Sequence, residues 1–411
     1  MAAGVVFGTG PIALGLTTEK LGTLGLLVIR LLKALAAPLI FFAIVDGFLK
    51  TRIRGRDGRL LVGICLFNVT VAFGIGLLLV NTLRPGDLWR GHVDEMLGLV
   101  AKDGSPNPLA AAAAARPTLD PWKNVTGYVP ESLLEPFVKN HVIGIVLLAL
   151  LFGVAVRHVS DERSREVEVA AGPWVVAELV HSGFQILLAA LEKIVAFVPF
   201  AVFCLVAQVV GRSGLGVFKV LWVFLAVLLA GLFLHSLVYY TLAAWLVGRK
   251  PPNVFLKEGL PAILTGLSIN SSLATLPLTL KSLSRMGVSD GSARLGACVG
   301  TQLNNDGITL YEAMAALFLA QACGFELSLA EQAVVVVASL MAGIGISGIP
   351  EAGLIVLPLV LSAAGLPEVV VAAAIPLIVP VDWIIARVRS GVNVMADMLV
   401  SILLDRFRAE E

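Results

Sequence analysis

Long apolar stretches alternate with short polar connections along most of this chain. A helix needs about 20 predominantly apolar residues to cross the hydrocarbon core of a bilayer, and several windows reach that length. One of these windows is interrupted at Glu192, Lys193 and Pro199, which leaves open either one long tilted helix or a helix with a break. The windows that predict membrane spans fall near residues 21–48, 60–83, 141–157, 170–210, 216–248, 291–322 and 368–404.

Two other apolar segments are interrupted at their centres by polar or glycine-rich residues. The break is SINSSLATLP in residues 255–286 and GIGISGIPEAG in residues 329–366. Irregular backbone at membrane depth is tolerated only where it lines a cavity inside the protein, so we expect two re-entrant hairpins of half-helices. Two ordinary helices with a short loop remain the alternative. Paired interruptions of this kind indicate the binding site of a transporter.

Composition agrees with a chain whose main solvent is lipid. Hydrophobic residues make up 58% and charged residues 14%, and the mean hydropathy is +0.92. The net charge of +1 does not indicate a surface that binds nucleic acid. The four cysteines are scattered, and their spacing predicts neither a disulfide framework nor a metal cluster. No HExxH motif occurs, and GVSDG at residues 287–291 is a lone match to GxSxG, so an enzyme is not expected. Lys and Arg are concentrated near residues 50–59, 157–165, 249–257 and 406–408, which places these connections on the inner side of a cell membrane (inner or plasma).

The last predicted span carries polar groups that are costly at bilayer depth. An ionised side chain at the centre of a membrane helix costs about 3 kcal/mol, so such residues are functional candidates. On a helix, five of these positions fall within about 80° of one another, whereas Arg387 lies about 160° from Arg389. The planar fork of Arg389 suits a carboxylate, and Asp397 offers the oxygens that a hard cation prefers. The polar stripe consists of Asp382, Ala386, Arg389, Asn393 and Asp397.

The span at 291–322 contains QLNNDGITLYE, an Asn-Asp-Gly turn signal inside a membrane segment. An unwound backbone here would place carbonyl oxygens beside the carboxylate of Asp306, which predicts a sodium-type site. Glu312 lies two helical turns further on. It is either a proton-titrating group or a carboxylate that pairs with an arginine.

With these motifs, the chain resembles the dicarboxylate/amino acid:cation symporter family, which includes archaeal aspartate and mammalian glutamate transporters. The resemblance covers most of the chain and rests on RLLKALAAPLIFFAIV, SSLATLP, NNDGITLYEA, GISGIPEAG and DWIIARVRSGVNVMAD, in family order. It implies an all-α polytopic membrane protein of the glutamate-transporter-like fold, with about eight transmembrane helices and two re-entrant helical hairpins. It also implies a homotrimer in which a transport domain moves against a scaffold like an elevator.

The resemblance implies a division of the chain into scaffold and transport parts. Residues 1–59 would be scaffold, with the first of two spans shortened, and residues 60–84 would be the third span, in the transport domain. Residues 85–213 would hold an external loop and scaffold spans, and residues 214–411 the rest of the transport domain. That last part would contain hairpin 1 at about 254–287, an unwound span at 291–322, hairpin 2 at about 329–366 and the last span at 368–404.

The resemblance also implies roles for individual residues. Arg389 would bind a side-chain carboxylate of the substrate, and Asn393 its backbone groups. The hairpin tips would contact the substrate at Ser272, Ile349 and Gly353. One sodium site would use Gly300, Asn304, Asn393 and Asp397, part of a second would be Asn304 and Asp306, and a third would use the carbonyls of Gly343, Ile344 and Ile346. Glu312 would carry a proton. On the third span, where the chain departs from the family, only Asn68 could offer a side-chain oxygen to sodium.

Departures from the family pattern narrow the range of expected substrates. Ala386 stands where amino-acid-transporting members carry an aspartate for the substrate ammonium, and a methyl group cannot offset the desolvation of that charge. Ile308 and Asn305 replace a threonine and a methionine near the substrate, and Cys65, Asn68 and Val69 replace the third span's tyrosine, threonine and serine. Glu351 adds a negative charge at a hairpin tip, and neither its role nor that of Arg387 follows from the sequence.

The sequence therefore predicts symport of a small dicarboxylate that lacks an amino group, coupled to Na⁺ and/or H⁺, with no organic cofactor. An acidic or neutral amino-acid:cation symporter is the alternative, and an anion channel is a more distant one.

Overall fold

The computed structural model describes residues 6, 8, 11–13, 16–50, 55–90, 129–139, 141–166, 175–214, 217–344 and 352–408. These residues are almost entirely helical, apart from two short antiparallel strands, β1 (Pro11–Ala13) and β2 (Leu16–Thr17). The α-helices are α1 (Thr18–Lys50), α2 (Gly55–Leu83), α3 (Glu135–Val138), α4 (Val142–Glu166), α5 (Val175–Val195), α6 (Val198–Ser213), α7 (Val217–Phe233), α8 (Thr241–Leu246), α9 (Pro252–Ile269), α10 (Ser272–Arg285), α11 (Asp290–Ala293), α12 (Asp306–Ala322), α13 (Leu329–Gly343), α14 (Ala352–Ala363) and α15 (Glu368–Arg408).

The helices have the length and composition of a membrane protein. Among the described residues, five helical stretches are long and apolar enough to cross a bilayer: Thr18–Gly47, Gly55–Leu83, Ile143–Ser160, Val175–Val195 and Leu221–Leu246. The shorter apolar helices include α13 and α14, which have the length of half-helices. The all-α, multi-pass architecture expected from the sequence is thus confirmed.

The interrupted window at 170–210 forms two helices. Helix α5 ends at Val195 and α6 begins at Val198, with Phe197 as the residue before its first turn. Pro199 occupies that first turn, where its missing N–H leaves no helical hydrogen bond unmade. The sequence left open a tilted helix or a break, and the structure contains the break.

The following span contains a feature that the hydropathy pattern did not predict. Helix α7 passes without interruption into a π-helical turn at Leu234–Tyr240 and then into α8. A π-helical turn hydrogen-bonds each residue to the fifth along the chain and widens the helix locally, and such turns are frequent at functional sites.

The first interrupted segment forms a helical hairpin. Helix α9 ends at Ile269 and is followed by its C-cap residue Asn270, whose φ of 52° is left-handed, a conformation that asparagine tolerates better than most residues. Ser271 then caps α10, because its side chain accepts a hydrogen bond from the backbone N–H of Ala274. The two half-helices therefore meet at the polar tip that the SINSS sequence predicted.

The second interrupted segment also consists of two short helices that pack against each other, α13 and α14. Helix α13 starts with a capping box between Ser328 and Glu331 and ends at Gly343. The predicted contacts at Ile346 and Ile349, and the charge of Glu351, lie outside the described residues.

The span at 291–322 is unwound at its centre, as the Asn-Asp-Gly signal predicted. A π-helical turn at Arg294–Val299 and a 3₁₀ turn at Gly300–Gln302 precede a non-helical stretch, and α12 begins at Asp306. Every residue of α12 is buried. The 41-residue α15 packs against this span and against both hairpins, so it lies at the centre of this part of the fold.

Candidate functional site

The polar stripe predicted on the last span lies on the buried side of α15. Asp382, Ala386, Arg389, Asn393 and Asp397 are all at most 3% exposed. Arg387 points elsewhere: its Nη1 donates to the carbonyl of Trp383 at 2.9 Å, and its guanidinium lies 5.3 Å from the centre of the Trp383 ring. The two arginines therefore diverge, as helix geometry requires for residues two positions apart.

A cleft joins the polar stripe to the tip of the first hairpin. We call it the solute cleft, and it brings together five of the predicted substrate residues: Arg389, Asn393, Ser272, Ile308 and Ala386. Gly353, a sixth, follows Ala352 in the cleft wall, and Ile349 lies outside the described residues. The residues that line the solute cleft are Asn270, Ser271, Ser272, Ile308, Ala352, Ala386, Arg389, Ser390 and Asn393.

The guanidinium of Arg389 is held in a defined position beside this cleft. Its Nη2 lies 3.6 Å from Oδ1 of Asp382, about two turns back along α15. Its Cζ lies 4.2 Å from the centre of the Tyr311 ring, a distance typical of a cation–π contact. Gly353 of α14 lies so close that any side chain there would collide with the guanidinium. Residues of α12, α14 and α15 thus surround the buried guanidinium of Arg389 and hold it in place.

The other groups of the cleft are neutral. Ser271, Ser272 and Ser390 contribute hydroxyls, and none of the described lining residues carries a carboxylate. The hydroxyl of Ser272 is buried and has no hydrogen-bond partner among the described residues. Buried polar groups are nearly always hydrogen-bonded in native proteins, so an unpartnered hydroxyl at a cleft wall indicates a place for a polar ligand.

A chain of amides connects α15, the unwound span and the second hairpin. Oδ1 of Asn393 accepts from the backbone N–H of Gly307 at 2.9 Å, and its Nδ2 donates to Oδ1 of Asn305 at 3.4 Å. Nδ2 of Asn305 donates in turn to the carbonyl of Gly343, where α13 ends, at 2.9 Å. The sequence marked Asn305 only as a departure from the family pattern. The structure shows that it links two segments of the site.

Next to the solute cleft lies a group of oxygens that we call the cation cluster: Gly300, Asn304, Asp306 and Asp397. All four residues are buried. Oδ1 of Asn304, Oδ1 of Asp306 and Oδ1 of Asp397 have no hydrogen-bond donor among the described residues. The charges of Asp306 and Asp397 are close enough to interact. Carboxylate and amide oxygens suit a hard cation, and a bound cation would compensate these buried negative charges.

The second oxygen of Asp306 is engaged by the π-helical turn. The hydroxyl of Tyr240 donates to Oδ2 of Asp306 at 2.7 Å, and Nε2 of His235 lies 3.2 Å from the same oxygen. The hydroxyl of Tyr239 donates to Oδ1 of Asn68 at 2.7 Å. The sequence pattern assigned no role to His235, Tyr239 or Tyr240, although a buried histidine within an apolar span is itself a signal.

Glu312 lies on α12 behind the solute cleft and is fully buried. Neither of its carboxylate oxygens has a hydrogen-bond donor among the described residues. Its charge interacts with those of Arg389 and Asp382. Both expected roles, proton titration and compensation of an arginine, are compatible with this position.

Comparison with known proteins identifies the family of this chain. Residues 1–407 match the model of the sodium:dicarboxylate symporter family. Excitatory amino acid transporter 3 of Mus musculus is 27% identical, over 94% of this chain and 79% of the relative. Excitatory amino acid transporters of Caenorhabditis elegans and Onchocerca volvulus are each 28% identical over 91% of this chain, and cover 79% and 80% of those relatives. The chain therefore belongs to the sodium:dicarboxylate symporter family and is a multi-pass cell-membrane transporter of the sodium-coupled symport class.

Proposed function

We propose that this protein takes up a small acidic solute by sodium-coupled symport and that Arg389 binds a carboxylate of that solute. The observation that carries the proposal is the buried guanidinium of Arg389 at the wall of the solute cleft. A planar guanidinium can donate two parallel hydrogen bonds to a carboxylate, and such pairs are among the strongest polar contacts in proteins. Asp382 and Tyr311 orient the fork before the solute arrives.

The first candidate solute is an acidic amino acid. The relatives are named excitatory amino acid transporters, which favours this alternative over the dicarboxylate that the sequence suggested. In this cleft the amino group would be bound by neutral oxygens, such as the hydroxyls of Ser272 and Ser390. A neutral amino acid fits less well, because it has no side-chain carboxylate, the group expected to compensate the desolvated guanidinium of Arg389.

The second candidate is a dicarboxylate without an amino group, such as a C4 acid. Ala386 favours it, because this methyl group lines the cleft where a carboxylate would be needed to compensate an ammonium. Two carboxylates would instead match Arg389 and the hydroxyl donors of the serines. The two candidates therefore make different demands on the site: an acidic amino acid requires a group that binds its ammonium, whereas a dicarboxylate does not.

The cation cluster would bind Na⁺, the co-transported substrate. The oxygens of Asn304, Asp306 and Asp397 would be ligands, with the carbonyl of Gly300 as a further one. Asn393 lies between this cluster and the cleft, since its Oδ1 accepts from the N–H of Gly307, next to Asp306. We extend the proposal to a homotrimer with elevator-type movement, and to Glu312 as a group that carries a proton.

Uptake by purified protein in liposomes tests the proposal. With an inward Na⁺ gradient, we expect labelled aspartate to accumulate above its external concentration and to be competed by excess aspartate more strongly than by succinate. Stronger competition by succinate would select the second candidate. Uptake without accumulation against a gradient would indicate a channel, and equal uptake in the absence of Na⁺ would contradict sodium coupling.

A further inference from the structure

We infer that Tyr240, together with His235, is a positioning residue of the cation cluster: it holds one oxygen of Asp306 so that the other is directed at the cation. The inference deepens the proposed function and rests on its sodium site. Tyr240 and His235 are themselves fully buried, as is Asp306. Neither would touch the cation, and their effect would pass through the orientation of the Asp306 carboxylate.

The two donors converge on a single atom. The hydroxyl of Tyr240 lies 2.7 Å from Oδ2 of Asp306, and Nε2 of His235 lies 3.2 Å from it. Oδ1 of the same carboxylate is buried with no donor among the described residues. A carboxylate held through one oxygen cannot rotate without losing both bonds. The two bonds therefore restrain the direction of the unpartnered oxygen, which we take to be the one offered to the cation.

The π-helical turn makes this convergence possible. His235 and Tyr240 are five residues apart, and on a regular α-helix their side chains would point about 140° away from each other. Hydrogen bonding to the fifth residue brings such a pair to one side of the helix. The rings of His235 and Tyr240 consequently lie edge to face, with their centres 4.5 Å apart, and both reach Asp306. The π-helical turn therefore brings two hydrogen-bond donors to the same oxygen of Asp306.

The neighbouring tyrosine provides an internal comparison. Tyr239 has the same side chain and belongs to the same turn, and its ring stacks on that of His235. Its hydroxyl, however, donates to Oδ1 of Asn68 on α2 and not to Asp306. Removal of either hydroxyl takes away one hydrogen bond, but only the change at Tyr240 alters the support of the Asp306 carboxylate, since the change at Tyr239 acts on Asn68.

Groups that orient a metal ligand have a known scale of influence. Their substitution typically weakens metal binding by about 10- to 100-fold. For Tyr240→Phe we expect the Na⁺ concentration for half-saturation to rise about tenfold, because His235 still holds Oδ2. The affinity for the organic solute at saturating Na⁺ should change less than about twofold, since Tyr240 does not line the solute cleft.

The test is Na⁺ binding to the purified full-length protein with no organic solute present, measured as the Na⁺-dependent rise in melting temperature with choline as the control cation. Wild type, Tyr240→Phe and Ser236→Ala are compared, because the buried hydroxyl of Ser236 belongs to the same turn but donates to the carbonyl of Leu232 and not to Asp306. We expect half-saturation to shift about tenfold for Tyr240→Phe and less than about twofold for Ser236→Ala. Equal shifts in both variants, or none in Tyr240→Phe, would overturn the inference.

A second variant covers the case in which Tyr240→Phe does not fold. His235→Phe removes the other donor to Oδ2 and keeps a ring against Tyr239, and we expect it to weaken Na⁺ binding about threefold or more. Wild-type Na⁺ affinity in His235→Phe would then overturn the inference. A wild-type protein with no Na⁺ response would refute the sodium site itself, whereas a wild-type response that neither variant alters would refute only the positioning role. An incorrect choice of organic solute would affect neither result.

Discussion

The solute cleft and the cation cluster lie side by side, yet their charges are opposite. The cleft has a buried guanidinium and hydroxyls but no carboxylate among its described lining residues. The cation cluster has two buried carboxylates, each with one oxygen that lacks a hydrogen-bond donor in the described part of the chain, and an amide oxygen that also lacks one. Each region therefore lacks a charge that a substrate can supply, an anion in the first and a cation in the second.

This contrast suggests how two substrates can be coupled without touching each other. Asn393 belongs to the solute cleft, lies one helical turn from Asp397, and bonds through Oδ1 to the backbone next to Asp306. A cation that fixes Asp306 and Asp397 would also fix Gly307 and Asn393, and hence one wall of the cleft. Binding at either region would then favour binding at the other, and this reciprocity is a thermodynamic requirement of any coupling.

The largest effect is expected from the cleft. Arg389→Ala should weaken solute binding about 30-fold or more, because truncation of one member of a buried charge pair costs about 2–5 kcal/mol. Arg387→Ala is the matched control, since its guanidinium contacts Trp383 and not the cleft, and it should change affinity less than about threefold. Equal losses in the two variants, measured as uptake affinity in liposomes, would contradict the assigned role of Arg389.

The corresponding change in the cation cluster is Asp397→Asn. It keeps the shape of the side chain and removes one ligand charge, a quantity that strongly tunes the affinity of oxygen sites for cations. We expect the Na⁺ concentration for half-maximal uptake to rise about tenfold or more. Asp405→Asn changes the same residue type two turns further along α15, where it bonds Ser289 at an exposed position, and should leave Na⁺ dependence unaltered. Unchanged Na⁺ dependence in Asp397→Asn would remove Asp397 from the site.

Ala386→Asp would place a carboxylate in the solute cleft and so test whether the absence of one there sets the solute preference. A hydrogen bond to a charged group contributes about 1.5–3 kcal/mol, so the preference for aspartate over succinate should increase about tenfold or more. Ala386→Asn adds a side chain of similar size without the charge and should not produce this shift. Competition of labelled uptake by the two solutes measures it. An unaltered preference in Ala386→Asp would show that the amino group, if present, binds elsewhere.

The smallest effect is expected in the exposed connection between α12 and α13. Hydrogen bonds from Arg84 and Arg90 hold the pKa of Glu326 below its usual range. A lowered pKa stabilises the fold above the unfolded pKa of about 4.3 and loses this effect as the pH falls through the folded pKa. Because Glu326 is 64% exposed, screening keeps the contribution below about 1 kcal/mol.

Glu326→Gln should therefore lower the melting temperature slightly at pH 7, and the difference from wild type should disappear at the acidic end of the range. A difference that grows towards low pH would contradict the sign of this pKa shift. This small effect is expected because solvent stabilises the charge of the exposed Glu326, whereas the carboxylates of the cation cluster are buried.

The features that local sequence determines were the predictable ones. The hairpin break at Asn270 and Ser271 follows from turn-forming and capping residues, and the start of α12 at Asp306 from the Asn-Asp-Gly signal. The buried stripe on α15 follows from helical periodicity alone. Each of these depends on residues within a few positions of one another, so no knowledge of tertiary contacts is needed.

The features that were missed depend on contacts between distant segments. The bond from Tyr240 to Asp306 joins residues 66 positions apart, and it requires a π-helical turn that the apolar pattern of the span does not reveal. The bond from Asn305 to Gly343 likewise appears only when α12 and α13 are packed together. Asn68, expected from the sequence to offer an oxygen to sodium, has that oxygen bonded to Tyr239, and its role as a ligand stays a prediction.

The most direct test is the affinity of the purified protein for its organic solute, measured by calorimetry at a series of Na⁺ concentrations with constant ionic strength. If the solute cleft and the cation cluster are coupled, the apparent dissociation constant should fall at least tenfold, about 1.4 kcal/mol, between Na⁺-free and saturating conditions. A dissociation constant that does not depend on Na⁺ would contradict this coupling.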